Sequence, residues 1–299
     1  MVECFMNASD KAIIFGSSGQ DGIYMTDLCK RKGIEPIGVS RRQGFGLCGS
    51  VCNFEFVKNI IKEHKPRYIF HFAANSTTRH EALFENHETI STGSLNILEN
   101  VKLHSPASKV LITGSGLQFR NEGKPISEST PFDAGNAYAV SRIQSVFAAR
   151  YFRSLGIQAY VAYLFHHESP LRHSTHVSKM ISNKIKEIRN GRNTKIVIGD
   201  STVEKEWGFA GDIVKGIFTL VSQETVSEAV IGTGIAYTIN DYITECLSLS
   251  GIDPSLHVES QPKFKAEYKK LLSNPQKINL LGWRSETSFK QLVQIMLSD

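Results

Sequence analysis

The chain has 299 residues, of which 41% are apolar and 21% charged, and its formal net charge is +5. This balance is typical of a globular protein with a large core, and it excludes a small disulfide scaffold, a fibrous protein and a disordered chain. The basic residues are dispersed, so nucleic-acid binding is not predicted, whereas a modest positive field suits a phosphorylated small molecule.

Localisation and redox state follow from simple patterns. The longest apolar runs, Tyr68–Ala74 and Ala159–Phe165, fall far short of the roughly 20 residues of a membrane-spanning helix. Met1–Asp10 shows no basic-then-apolar export pattern, so we expect a cytoplasmic protein without a membrane partner. An odd number of cysteines without a CxxC pair predicts reduced thiols and no metal site; they are Cys4, Cys29, Cys48, Cys52 and Cys246.

The first motif is a glycine-rich turn between a strand and a helix. Lys11–Gly16 is a short apolar run, and Gly16, Gly19 and Gly22 form GxxGxxG before a helical pattern that ends at Gly33. Glycines in this position let a pyrophosphate approach the backbone and the helix N-terminus. The context favours dinucleotide binding over a plain turn.

The end of the second strand indicates which dinucleotide is bound. Pro36–Ser40 is predicted as a strand and runs directly into Arg41 and Arg42. An acidic residue here would bind the ribose hydroxyls of NAD, whereas an arginine accommodates the 2′-phosphate of NADP. NADP is therefore predicted, and the alternative is a solvated basic turn.

Strand-like and helix-like segments continue to alternate. We predict a loop over Gly44–Asn53, a helix containing Ile60, strands at Tyr68–Phe72 and Lys109–Thr113, and a helix near Ile90–Leu103. This alternation predicts an α/β fold of the Rossmann type, a doubly wound parallel sheet.

A possible acid/base pair lies on the next predicted helix, which begins near Asn136. Tyr138 and Arg142 are four residues apart, so their side chains share one helix face. A neighbouring positive charge favours a phenolate, which can accept a proton from a sugar hydroxyl as hydride leaves the carbon. Such a spacing alone is more often a surface pair.

Together with the glycine turn, this pair resembles the YxxxK pair of the extended short-chain dehydrogenase/reductase superfamily, with Arg142 in place of the lysine. The sequence further resembles the GDP-mannose 4,6-dehydratase family in the following segments: GSSGQDG at 16–22, Arg41-Arg42, AANS at 73–76, TPF at 130–132, LFHHESP at 164–170, EWG at 206–208 and LGW at 281–283. The resemblance implies NADP held by Gly16, Ser18, Gly19, Gln20, Asp21, Gly22, Arg41, Arg42, Ala73 and Ala74, and catalysis by Ser115, Tyr138 and Arg142.

The sequence departs from this family after the strand at 109–113. There the dehydratases carry Thr-Ser-Glu, whose glutamate handles the C5 proton, but this chain reads TGSGLQ at 113–118. Its GSG resembles that of related 4-keto-sugar reductases, and Ser115 can still bind a C4 oxygen. Candidates for a replacement acid or base are Glu122, Glu128, Asp133, His166 and His167, although solvated or packing roles are favoured for them.

The C-terminal part is expected to bind substrate. The resemblance assigns residues 1–165, with part of 200–245, to the Rossmann domain, and residues 166–299 mainly to a smaller substrate-binding lobe. It implies a homodimer or homotetramer. The expected substrate-binding residues are His167, Glu168, Arg172, Lys179, Lys205 and Trp207, the last of which could stack or simply pack.

The predicted function is NADP-dependent hydride transfer at C4 of a nucleotide sugar, with a GDP-hexose favoured. The resemblance implies a lyase or oxidoreductase, but the missing glutamate argues against dehydration. Two alternatives stay open: a 4-keto-sugar nucleotide reductase or epimerase, and a catalytically weak regulator that binds NADP and a sugar nucleotide.

Overall fold

A computed structural model describes residues 10–253, 257–261 and 266–298. The expectations for the segment before Asp10 and for Cys4 lie outside the described residues. The chain divides into two compact units. The first comprises Met1–Gly114, Asp133–Ala162 and Val221–Glu228, and the second comprises Ser115–Phe132, Tyr163–Leu220 and Ala229–Asp299.

The described secondary structure alternates between strands and helices. The strands are β1 (Lys11–Phe15), β2 (Glu35–Ser40), β3 (Leu47–Cys48), β4 (Tyr68–His71), β5 (Lys109–Ser115), β6 (Ala159–Leu164), β7 (His167–Glu168), β8 (Ile196–Ile198), β9 (Glu204–Glu206), β10 (Gly208–Phe209), β11 (Glu228–Ile231), β12 (Ala236–Thr238), β13 (Val258–Ser260) and β14 (Lys270–Leu271). The α-helices are α1 (Gln20–Arg31), α2 (Phe54–His64), α3 (Leu83–Asn86), α4 (Gly93–His104), α5 (Ala137–Ser154), α6 (Val177–Arg189), α7 (Ala210–Val221), α8 (Ile239–Ser250), α9 (Gln276–Leu280) and α10 (Phe289–Leu297).

The main sheet has seven strands in the order β11-β6-β5-β4-β1-β2-β3. Neighbouring strands from β3 across to β5 pair in parallel, which confirms the predicted Rossmann-type fold. From β1 the chain first adds β2 and β3 on one side of the sheet. It then returns to add β4 and β5 on the other side of β1, so the strand order reverses at β1. In open parallel sheets, ligands bind beyond the carboxyl ends of the strands at such a reversal point.

The predicted helix boundaries have local causes. In α1, Met25, Leu28 and Cys29 are buried on one face, and Gly33, with φ +72°, follows the end of the helix in a left-handed conformation. Asn136 caps α5 by accepting the backbone N–H of Ala139. These features confirm the helix end near Gly33 and the helix start near Asn136.

Two boundaries in the first unit differ from the prediction. The segment 44–53 is not entirely a loop, because β3 pairs with the end of β2. A Cβ at Gly46 would lie 2.2 Å from the carbonyl oxygen of Gly38, so two glycines permit this close approach. The helix predicted near Ile90–Leu103 begins in the structure as a π-helical stretch, His87–Thr92, which contains Ile90 and continues directly into α4.

The segment Val221–Glu228 returns to the first unit. Glu228 accepts hydrogen bonds from the guanidinium groups of Arg150 and Arg153. The backbone N–H of Val161 donates to Ser227 O over 2.8 Å. The first unit is thus completed by residues that lie far along the chain.

The second unit has its own core, formed by helices α6, α8 and α10 around residues such as Ile181, Trp207, Tyr242 and Leu292. Asp212 on α7 is buried and accepts the backbone N–H groups of Glu286 and Thr287 over 3.0 and 2.7 Å. This carboxylate therefore fixes the segment that leads into α10.

Within the described ranges, no helix is long and apolar enough to cross a membrane. The same residues contain no group of three or more His, Cys, Asp or Glu side chains that could hold a metal ion. The four described cysteines, Cys29, Cys48, Cys52 and Cys246, are unpaired.

Candidate active site

The glycine turn lies at the carboxyl end of β1. Gly16 has φ +85°, and a Cβ there would lie 2.7 Å from the backbone nitrogen of Ala73. A Cβ at Gly22 would lie 2.2 Å from Gly16 O. Both positions therefore require glycine for steric reasons, and Gly19 is the N-cap of α1. Gly19 provides no side-chain cap to α1, and the backbone N–H groups at a helix N-terminus favour the binding of an anion.

The other predicted cofactor residues surround this turn. Ser40 donates a hydrogen bond to the Ser18 hydroxyl over 2.8 Å, which joins the end of β2 to the turn. Gln20 and Asp21 form the first residues of α1, and the Gln20 amide donates to the Asp21 carboxylate over 3.3 Å. Ala73 and Ala74 follow β4, next to Gly16. Arg41 and Arg42 are exposed at the end of β2.

Tyr138 and Arg142 lie together in the first unit, as their spacing predicts. Tyr138 is 9% exposed and Arg142 is 5% exposed. The guanidinium carbon of Arg142 lies 5.0 Å from the centroid of the Tyr138 ring, a cation–π distance. The phenol therefore lies beside a buried positive charge.

Sequence reasoning missed two residues next to this pair. Arg142 Nη1 donates to the carbonyl oxygen and the hydroxyl of Thr113 over 2.6 and 2.5 Å. The Thr113 hydroxyl in turn donates to the carbonyl oxygen of His71 over 3.0 Å. Burial, together with the positive charge of Arg142, lowers the pKa of His71 to about 3, so its ring is neutral at pH 7. The sequence does contain a signal for these two residues. His71 ends the apolar strand β4, and Thr113 lies near the carboxyl end of the apolar strand β5.

In the second unit, Ser115 begins a short 3₁₀ turn over Gly116–Gln118. Its hydroxyl accepts the backbone N–H of Leu117 over 3.2 Å, and its own N–H donates to the side-chain oxygen of Gln118 over 2.8 Å. This capping box fixes the backbone around Ser115, whose side chain is 8% exposed.

Three of the predicted substrate-binding residues form one buried ionic cluster. Glu168 is 1% exposed and lies 3.3 Å from Lys205 Nζ and 3.4 Å from Arg172 Nε. The Ser178 hydroxyl donates to the same carboxylate over 2.6 Å. Burial alone would raise the pKa of Glu168, but Lys205 and Arg172 lower it to about 2. The Glu168 carboxylate is therefore ionised at neutral pH and lies between two basic side chains.

The remaining predicted substrate-binding residues have different surroundings. Trp207 is 2% exposed, stacks on Tyr242 with centroids 4.2 Å apart, and has Lys205 Nζ 4.3 Å from its ring. It also lines a cleft of about 540 Å³ within the second unit. His167 is buried, with Nδ1 2.7 Å from Phe165 O. Lys179 is half-buried on α6, outside the ionic cluster.

Comparison with known proteins identifies the family. The family model described as GDP-mannose 4,6 dehydratase matches residues 13–296. The chain belongs to the GDP-mannose 4,6-dehydratase family. It is 28% identical to GDP-mannose 4,6 dehydratase 1 of Arabidopsis thaliana over 324 aligned positions, which cover 96% of this chain and 89% of that protein.

Solved structures of low sequence identity share the fold. RMD from Pseudomonas aeruginosa complexed with NADPH has a TM-score of 0.84 at 18% identity, covering 97% of each chain. The dTDP-glucose 4,6-dehydratase of Bacillus anthracis in complex with NAD has a TM-score of 0.84 at 17% identity, covering 97% of this chain and 96% of that one. The fold is thus found with either nicotinamide cofactor.

The departure from the GDP-mannose 4,6-dehydratase pattern at 116–117 has a structural counterpart. A Cβ at Gly116 would lie 2.9 Å from two carbons of the Phe165 ring. Because a real Cβ does not approach so closely, a glutamate does not fit at position 116 without movement of Phe165. The neighbouring position is Leu117, which carries no acid.

The alternative acids and bases lie in other environments. Glu128 accepts the backbone N–H of Val230 over 2.7 Å and lies 3.6 Å from Lys277 Nζ, so its carboxylate supports the second unit's structure. Glu122 and Asp133 are exposed. His166 Nε2 lies 3.1 Å from the hydroxyl of Tyr268, and burial together with the charge of Lys205 lowers the pKa of His166 well below its usual range.

Proposed function

We propose that this member of the GDP-mannose 4,6-dehydratase family is an NADP-dependent oxidoreductase that transfers hydride at C4 of a GDP-hexose. The observation that carries the proposal is the buried pair of Tyr138 and Arg142, in the same unit as the glycine turn. A phenol that must release and regain a proton needs a fixed positive charge close to it.

The chain's own residues fit a nicotinamide dinucleotide. Gly16 and Gly22 have no room for a side chain, and the uncapped N-terminus of α1 provides backbone N–H groups for a pyrophosphate. Arg41 and Arg42 supply positive charge at the end of β2 for a 2′-phosphate. These residues support NADP rather than NAD.

The proposed chemistry assigns one task to each residue. A bound nicotinamide would supply the hydride acceptor for C4. Tyr138 takes the proton from the C4 hydroxyl, and the charge of Arg142 stabilises the phenol oxygen while it lacks its own proton. Ser115, which the family resemblance places at the C4 oxygen, donates a hydrogen bond to it.

A 4-keto sugar formed in this way would keep its C6 hydroxyl. Removal of water across C5 and C6 needs a base at C5 and an acid at C6. Gly116 cannot carry that base beside Phe165, and Leu117 has no titratable group. We therefore favour simple redox chemistry at C4, and this same observation favours the related reductase or epimerase activity as the second candidate.

Isotope labelling tests this proposal. The protein is incubated with GDP-mannose and NADP⁺ in heavy water, and the products are analysed by mass spectrometry and NMR. We expect oxidation at C4 without loss of water and without solvent deuterium at C5. A product that has lost one water and carries deuterium at C5 would contradict the proposal.

Mutation of the proposed acid/base residue gives a second test. Tyr138→Phe should abolish turnover and leave the Kd of NADP⁺ unchanged. If the wild type binds NADP⁺ and a sugar nucleotide but does not turn them over, the protein is a regulator.

We also propose that the protein forms a homodimer through α4 and α5. These helices contact each other in the first unit, and they expose large apolar side chains, namely Leu95 and Leu103 on α4 and Phe147 and Tyr151 on α5. Apolar groups exposed on neighbouring helices are typical of an interface between subunits. Sedimentation velocity should show a dimer for the wild type and a monomer for Phe147→Lys/Tyr151→Lys.

A further inference from the structure

Glu85 on α3 is held between two residues that border the glycine turn. One carboxylate oxygen accepts from Arg41 Nη2 over 3.4 Å, and the other accepts from the Asn75 side-chain amide over 2.8 Å. Each oxygen therefore has its own donor, so the carboxylate is oriented towards Arg41 rather than towards solvent alone.

Both partners of Glu85 belong to loops that adjoin the glycine turn. Ser40, which precedes Arg41, donates to Ser18 and accepts the backbone N–H of Arg42 over 2.9 Å. Asn75 lies two residues after Ala73, whose backbone nitrogen borders Gly16. The carboxylate thus reaches the loops that follow β2 and β4, where the adenosine end of a dinucleotide is bound in this fold.

We propose that Glu85 weakens the preference for NADP(H) by competing with the 2′-phosphate of NADP(H) for Arg41. A phosphate monoester brings close to two negative charges to this position, whereas the ribose hydroxyl of NAD(H) brings none. The competition therefore lowers the affinity for NADP(H) and leaves that for NAD(H) unchanged. The inference rests on the proposed dinucleotide site but not on the reaction at the sugar.

The strength of the Arg41–Glu85 pair fits a competitor rather than a permanent structural contact. The two side chains are 72% and 45% exposed, and exposed ion pairs are weak and screened by salt. A phosphate can therefore displace the carboxylate from Arg41. Breaking the ion pair costs free energy when NADP⁺ binds and so raises the Kd of NADP⁺. NAD⁺ has no 2′-phosphate to displace Glu85, so its Kd is not affected.

Calorimetric titration of NADP⁺ and NAD⁺ tests this inference at low salt. Glu85→Gln is isosteric and half-exposed, and we expect it to lower the Kd of NADP⁺ by about threefold or more, the size of one weak exposed ion pair. The Kd of NAD⁺ should change by less than about twofold. Glu81→Gln, which removes an exposed carboxylate four residues away, should change neither Kd by more than this.

A double mutant separates competition for Arg41 from direct repulsion of the phosphate. In an Arg41→Ala background, Glu85→Gln should no longer improve NADP⁺ binding. A gain that persists in this background, or a Glu85→Gln variant whose NADP⁺ affinity is unchanged or weaker, overturns the inference.

The same titrations test the proposed function separately. If the wild type binds NAD⁺ more tightly than NADP⁺, the proposed NADP preference fails, whereas the ratio of Kd values between Glu85→Gln and the wild type still decides the role of Glu85. A wild-type protein that binds neither dinucleotide overturns both.

Discussion

Arg142 is attached to Thr113 through two acceptors, a carbonyl oxygen and a hydroxyl, at 2.6 and 2.5 Å. The guanidinium therefore cannot leave Tyr138 without giving up two charge-assisted hydrogen bonds in a buried environment. A lysine at this position would offer a single ammonium group, so the arginine is a more firmly fixed cation than the lysine that the superfamily pattern expects.

Removal of the Thr113 hydroxyl should destabilise the protein. Thr113→Val leaves Arg142 with one acceptor fewer and removes the hydroxyl that donates to the His71 carbonyl, so we expect a loss of about 2–3 kcal/mol in the free energy of unfolding. Thr113→Ser keeps the hydroxyl and should lose less than about 1 kcal/mol. Urea denaturation followed by circular dichroism measures both, and equal losses for the two variants would show that the hydroxyl contributes little.

The charge of Arg142 should matter more for turnover than its shape. Arg142→Lys retains a cation beside Tyr138, and we expect its kcat to equal or exceed that of the wild type. Arg142→Met removes the charge and should lower kcat by at least about tenfold. Steady-state kinetics with a GDP-hexose and NADP⁺ distinguish these outcomes, and if both variants are equally inactive, the guanidinium has a specific role beyond its charge.

His71 should make stability depend on pH. Its pKa is about 3 in the folded protein and near 6.5 in the unfolded chain, so the unfolded chain binds the extra proton between these values. The contribution of neutral His71 to the free energy of unfolding is therefore fully present above pH 6.5. It falls by about 1.4 kcal/mol per pH unit on acidification below that value. His71→Asn should therefore flatten the profile between pH 6 and 4.5, while the exposed control His80→Asn should not.

Other titrating residues also contribute to the dependence of stability on pH. Their contributions are the same in the wild type and in His71→Asn, so they cancel when the two profiles are compared. Burial and Arg172 lower the pKa of His176 to about 4, so this residue adds to the slope in the same direction. Glu168 contributes only below about pH 4.5. An unchanged slope in His71→Asn would mean that His71 already accepts a proton in the folded protein.

The ionic cluster should depend strongly on Lys205. Lys205→Met leaves the buried Glu168 carboxylate with one cation fewer, and we expect a loss of about 3 kcal/mol or more in the free energy of unfolding. Lys195→Met breaks an exposed ion pair with Glu259 and should cost less than about 1 kcal/mol. Thermal and urea unfolding of both variants give the comparison, and similar small losses would indicate that Arg172 alone balances the carboxylate.

The parts of the fold that sequence reasoning predicted depend on local patterns. The turn at Gly16, the α1 end at Gly33 and the pairing of Tyr138 with Arg142 each follow from residues close together in the chain. β3 was missed because its pairing depends on the approach of Gly46 to Gly38, which has no local signature.

The contacts that define the candidate site were harder to predict. Thr113 contacts Arg142 across 29 positions, and Lys205 contacts Glu168 across 37 positions. The family resemblance predicts that Lys205 and Glu168 bind substrate, but the sequence did not show that these two residues form an ion pair with each other. Long-range pairing of this kind is set by the tertiary fold rather than by spacing.

The return of Val221–Glu228 to the first unit has a consequence for synthesis on the ribosome. A nascent chain that ends before Ser227 already contains the glycine turn and Tyr138, but it lacks the acceptor for Val161 and the carboxylate that binds Arg150 and Arg153. Domains generally fold as units during translation, so we expect the first unit to complete its folding only after Glu228 has been synthesised. Because β11 covers the edge of β6 in the complete sheet, we expect that edge to be unpaired until then, and unpaired strand edges make incompletely folded chains prone to aggregation.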